Sequence, residues 1–139
     1  MRMTDASVVD TSVVVGALVH GDPDTKARCR ESIEASPGAI AHVLAESYAG
    51  LTALPGNLRL APPVARRVLN EMFPQPPMTL SAQGHLHALD LMSGAGIPGG
   101  AIYDCLIAET ARENRAHIVS LDARAARTYA VVGVEFTLL

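Results

Sequence analysis

Four acidic residues stand where an unpaired carboxylate is costly. Asp10 ends the short apolar run SVV and is the one charged residue between Asp5 and Asp22. Glu46 is the one charged residue between Glu34 and Arg59, inside the apolar stretch VLAESYAGLTAL. Its helical neighbours are Val43, Ala49, Gly50 and Ala53, a small apolar face. Asp104, within AIYDCLIAETA, shares a helical face with Ile107, Ala108 and Ala111, at i+3, i+4 and i+7. Asp122 directly follows the apolar run 117–121. Carboxylates that converge cannot all stay ionised without a cation, and some of their pKa values must rise. A hard, oxygen-preferring divalent ion, Mg²⁺ or Mn²⁺, resolves that conflict. An acid-only site with positions open to water suits phosphodiester hydrolysis, one metal activating water and another stabilising the leaving oxygen. Ser12 and Ser120, each two residues from a strand-end acid, can assist through hydroxyl or water-mediated contacts. Two plainer readings stay open: Asp10 as a helix N-cap shared with Thr11 or Ser12, and Glu46 as half of a salt bridge to a distant arginine.

The elements around these acids alternate. Residues 7–9 read as a buried strand, followed by a turn and a helix across 13–19. A charged helix spans 22–35 and ends at Pro37-Gly38; a short strand at 39–42 and the Glu46 helix at 43–54 follow. Residues 55–98, punctuated by prolines, hold helices at about 64–73 and about 80–93, an insertion on the sheet edge or a surface for a partner. Asp90 reads as ordinary helix surface. The stretch 99–129 is a helix, the strand 117–121 and the start of a helix at 123–130, which Gly133 closes before a final strand at 134–138. Glu109, Arg112 and Glu113 fall on the side of their helix away from Asp104. Repeated βα units predict a mostly parallel sheet with helices on both faces. Ligands in such sheets bind outside the carboxyl ends of the strands, where Asp10 and Asp122 fall.

A chain of 139 residues, 49% hydrophobic and 18% charged, fits one domain, 1–139, with a real core. The net charge of −3 offers no global attraction to nucleic acid or anionic membrane, so any phosphate-binding surface is a local patch. Ten of the eleven basic residues are arginine, the better side chain for bidentate phosphate contacts. Arg112, Arg115, Arg124 and Arg127 lie near the expected active edge in sequence and are candidate phosphate contacts; solvated helix faces are the plainer reading. Cys29 and Cys105 have no CxxC spacing and read as buried free thiols. The start, MRMTDASVVDTS, is not a secretory signal, and no run approaches a membrane span, so cytoplasm is expected. The five histidines form no HExxH and read as structural. Gly96-x-x-Gly99-Gly100 is not a nucleotide-binding loop, and the scarce aromatics do not support a base-stacking platform.

The segments VVDTSVVVGAL, HVLAESYAGLTAL, AIYDCLIAETARENRAHIVSLD and GVEF resemble the PIN-domain ribonucleases, especially VapC-type toxins. The resemblance runs nearly end to end and is weakest across 55–90. Position by position, Asp10, Glu46, Asp104 and Asp122 match that family's acidic metal-binding residues, and Ser12 its small hydroxyl residue. Ser120 stands where threonine is common. The resemblance implies a helix-sandwiched, three-layer parallel sheet, a homodimer, cleavage of a tRNA or ribosomal RNA loop, and inhibition by a cognate VapB-type antitoxin. A catalytically silent PIN-like domain that binds RNA or protein is the alternative, and the presence of all four acids argues against it. A receiver-type phosphoacceptor would want a lysine after a late strand, and the one lysine is Lys26 in a polar helix.

Overall fold

The computed structural model describes residues 6–139, so the reading of the chain's start as lacking a signal lies partly outside the described residues. Three strands, β1 (Ala6–Val9), β2 (Ala116–Ser120) and β3 (Phe136–Leu138), form a parallel sheet in the order β1-β2-β3. Seven α-helices surround it: α1 (Thr11–Val19), α2 (Pro23–Glu34), α3 (Ala41–Thr52), α4 (Pro62–Met72), α5 (Ala82–Gly94), α6 (Ala101–Glu113) and α7 (Ala123–Val132). Neighbours on a strand point to opposite faces, yet both members of the pairs Val8/Val9 and Ile118/Val119 are buried. Both faces of the sheet are therefore covered, as the continuous apolar strands predict. Among the described residues no helix is long and apolar enough to cross a membrane.

Local chemistry sets the boundaries that matter for the acids. Gly16 lets α1 settle tightly: a Cβ there would stand 2.7 Å from Leu121 Cδ1 and 3.1 Å from Cys29 Sγ. Gly133, at φ 85°, ends α7 in the left-handed conformation, and its N–H donates to the Tyr129 and Ala130 carbonyls. Cys29 and Cys105 are free and buried, as their spacing suggests.

The strand expected at 39–42 is replaced by a single parallel bridge, Ile40 to Met78, and helix α3 already begins at Ala41. The local apolar run has no partner strand long enough to keep it extended. The last strand is also shorter than expected, starting at Phe136. Helices α4 and α5 lie chiefly against α3 and α6, rather than on a sheet edge.

Glu109 departs from the surface position its helical side suggests. It is only 2% exposed, because α5 covers that side of α6. Its carboxylate accepts from Arg112 Nη2 at 3.1 and 2.9 Å and lies 3.2 Å from His87 Nδ1. The two ends of this pair are unequal, since Arg112 is half-exposed and Glu109 is not. Arg112→Ala leaves a buried carboxylate with His87 as its one remaining side-chain partner among the described residues and should cost about 1–3 kcal/mol in urea unfolding. Glu109→Gln leaves a solvated guanidinium and should cost clearly less. Equal losses would contradict this burial pattern.

Candidate active site

All four acids line one cleft of about 460 Å³ at the carboxyl end of the sheet, together with Thr11, Ser12 and Tyr129. Asp10 follows β1, and its N–H donates to the Val119 carbonyl at 3.1 Å, which carries the ladder one residue further and sets Asp10 beside the end of β2. Its Oδ1 accepts from the Ser12 N–H at 3.1 Å and from Ser12 Oγ at 2.5 Å; its Oδ2 accepts from the Tyr129 hydroxyl at 2.8 Å. The Asp10 carboxyl is nevertheless held above the usual range, because burial outweighs the lowering effect of those donors and of Ser120. Burial and the neighbouring Asp10 charge push the Tyr129 hydroxyl upward too, so it stays a proton donor.

The hydroxyls tie the two strand ends together. Ser12 Oγ accepts from the Leu121 N–H at 2.9 Å, linking the β1–α1 junction to the β2–α7 junction. Ser120 Oγ accepts from the Asp122 N–H at 2.9 Å and lies 3.4 Å from Ser12 Oγ. Asp122 caps α7 by accepting from the Arg124 and Ala125 N–H groups at 2.9 and 3.4 Å. Asp10 likewise caps α1, so the N-cap reading and the clustered-acid reading both hold. Helix N-termini stabilise a nearby carboxylate, which makes the two roles compatible.

Glu46 reaches the same cleft from α3. Its Oε1 accepts from the Thr11 hydroxyl at 2.9 Å, and its Oε2 lies 3.5 Å from His42 Nε2. Among the described residues these are its partners, rather than a distant arginine. Asp104, in the first turn of α6, is half-buried and has its pKa pushed up to about 6. Burial is the largest cause, followed by repulsion from Glu46, Asp122 and Asp10, with His42 acting in the opposite direction. Like charges crowding one cleft produce this effect.

The donor set fits a hard divalent cation, since four carboxylates repel one another across one cleft and every candidate ligand is oxygen. Among the described residues no three His, Cys, Asp or Glu side chains form a group tight enough to hold a metal by themselves.

The candidate arginines divide. Arg112 lies eight residues along α6 from Asp104, about 12 Å at the helical rise, and is engaged with Glu109. Arg115 lies in the α6–β2 turn, at φ 57°, by the amino end of β2 and so at the opposite end of that strand from Asp122. None of the four arginines lines the cleft. For Arg112 and Arg115, nearness in sequence is undone by the length of the helix between. Arg124 and Arg127 are exposed on α7, Arg124 in the first turn beside Asp122.

Thr11, His42 and Tyr129 were not singled out as site residues by the sequence. Tyr129 stands seven residues after Asp122, on the same face of α7, and a buried tyrosine hydroxyl needs a partner; that signal was legible. Thr11 depends on α1 and α3 meeting, which spacing along one helix does not reveal, whereas His42 stands four residues before Glu46 on α3 and was within reach of that spacing.

Comparison with known proteins shows the family. The PIN domain family matches residues 7–131 of the chain. The chain belongs to the PIN-domain family. Ribonuclease VapC27 of Mycobacterium tuberculosis is 40% identical to it over 126 residues, 91% of each chain. Ribonuclease VapC40 of the same species is 31% identical over 130 residues, covering 94% of this PIN domain and 96% of its own length. Two solved structures share the fold. The VapBC2 structure of Rickettsia felis, bound to a promoter DNA fragment, gives a TM-score of 0.67 at 15% identity and covers 96% of this chain and 98% of its own. FitAcB of Neisseria gonorrhoeae gives 0.69 at 16% identity, covering 93% and 94%.

Proposed function

We propose that this PIN domain is an endoribonuclease of the toxin–antitoxin type, hydrolysing a structured RNA such as a tRNA or ribosomal RNA loop at the four-acid cleft. The observation that carries the reading is convergence: Asp10, Glu46, Asp104 and Asp122, far apart in sequence, line one cleft and raise the pKa of Asp104. The ribonuclease relatives support the substrate class, and the VapBC2 neighbour supports a VapB-type partner. A single domain over 1–139, a homodimer and a cytoplasmic setting belong to the same proposal.

Asp10, Glu46, Asp104 and Asp122 would hold Mg²⁺ or Mn²⁺. When bound, such an ion lowers the pKa of the attacking water and neutralises charge on the phosphoryl and leaving oxygens. The chain's own residues supply positioning. Ser12 and Tyr129 orient the two oxygens of Asp10, Thr11 holds Glu46 with His42 beside it, and Ser120 fixes the turn that carries Asp122. Asp104 completes the set from α6, and a cation in the cleft favours its ionised form over the protonated one. Arg124, in the first turn of α7 beside Asp122, and Arg127 are the cations we assign to RNA phosphates, since Arg112 and Arg115 lie farther along the chain from the acids.

Purified protein should cut structured RNA in Mg²⁺ or Mn²⁺ and stop in EDTA, with 5′ ends mapped after induced expression beside an Asp10→Asn control. Cleavage that persists in EDTA, or in the control at the parent rate, would overturn the assignment.

A further inference from the structure

We propose that the stacked rings of Tyr103 and His42 form a platform for an unpaired nucleobase flanking the cleaved phosphate, a specificity element resting on the ribonuclease reading above. The two ring centroids are 5.6 Å apart and the planes differ by 9°, a parallel stack between α6 and α3. Each ring is tied to one acid of the cleft. Tyr103 directly precedes Asp104, so their Cα atoms are about 3.8 Å apart. His42 lies one helical turn before Glu46, with Nε2 3.5 Å from its Oε2.

Tyr103 is 51% exposed, with the imidazole lying parallel to its ring in an offset stack. A half-open tyrosine backed by a second ring presents a flat π-surface that is already immobilised. Counting phenylalanine and tyrosine alone misses such a surface, because half of it is histidine. Sequence-specific proteins read RNA chiefly at single-stranded loops, whose bases stack on aromatic side chains. Stacking tolerates any base, since each has a π-face, so the platform selects for an unpaired nucleotide rather than for one base identity. The rings stand outside the lining of the four-acid cleft, so with the scissile phosphate at the acids they would meet a base flanking it rather than the cleaved linkage itself. The competing explanation is a clip that merely holds α3 on α6.

The test uses a short single-stranded RNA carrying one 2-aminopurine, titrated with the protein in Ca²⁺ so that fluorescence reports stacking independently of turnover. Steady-state cleavage in Mn²⁺ runs alongside. The parent and Tyr103→Phe should quench the probe. Tyr103→Ala should lose the quenching and raise KM about tenfold, with kcat changed far less. If the parent does not quench, or Tyr103→Ala matches it in both quenching and KM, the platform is wrong even where RNA is cut. A Tyr103→Ala protein that loses only thermal stability identifies the clip and also overturns the proposal. Quenching that depends on Tyr103 in a protein that cleaves no RNA would uphold the platform and remove the ribonuclease reading instead.

Discussion

Asp104→Asn should lower RNA cleavage by at least about 100-fold while raising the melting temperature of the metal-free protein. The two effects have one cause. Asp104 is raised to about 6 by burial and by three neighbouring carboxylates, so its ionised form opposes folding when no cation is present. The amide keeps the shape and removes the charge. Because Asp104 is only half-buried, solvent screening limits the gain to about 1 kcal/mol, or a few degrees. The sign follows from linkage. A carboxyl whose folded pKa lies above its unfolded value near 3.8 carries no penalty while protonated in both states, and a growing one up to about pH 6. The stabilisation by Asn should therefore be fully present above about pH 6 and vanish below about pH 4. Thermal melts in EDTA across that range measure it, and a lower melting temperature above pH 6 would count against the clustered acids.

Tyr129→Phe should fall on both scales instead. Tyr129 is fully buried, and its hydroxyl donates to Asp10 Oδ2 at 2.8 Å. Phenylalanine preserves the ring and its edge contact with Phe136 at 6.0 Å, so the change isolates the lost donor. A hydrogen bond to a charged group is worth about 1.5–3 kcal/mol, and this carboxylate is already disfavoured by burial. Removing the donor raises the Asp10 pKa further and frees the carboxylate to rotate. Affinity for a divalent ion should drop about 10–100-fold, as for other groups that orient a metal ligand. Melts and Mn²⁺ titrations check the two halves; unchanged values in both would mean that the hydroxyl does not hold Asp10.

Much of this was legible in the chain because charge is sparse where the acids sit. Asp10, Glu46, Asp104 and Asp122 interrupt apolar stretches, and an isolated charge on an apolar face asks for a partner. The inward face of α6 was readable from its period, and Ile107, Ala108 and Ala111 are indeed buried. What escaped was contact between elements. Glu109 looked like surface because the cover supplied by α5 lies outside the pattern of its own helix. His42 looked structural because Tyr103 cannot be placed against it until α3 meets α6, although its i,i+4 spacing to Glu46 on α3 was readable. The run at 39–42 has strand-like composition, yet a strand needs a partner, and only Met78 pairs there.

The central claim is that the four carboxylates form one divalent-cation site. A calorimetric Mn²⁺ titration of metal-free protein without RNA tests it, comparing the parent with Asp10→Asn, Glu46→Gln, Asp104→Asn and Asp122→Asn. The parent should bind, and every variant should bind at least about tenfold more weakly while remaining folded. Folded variants that bind Mn²⁺ as the parent does would show that the acids do not act together.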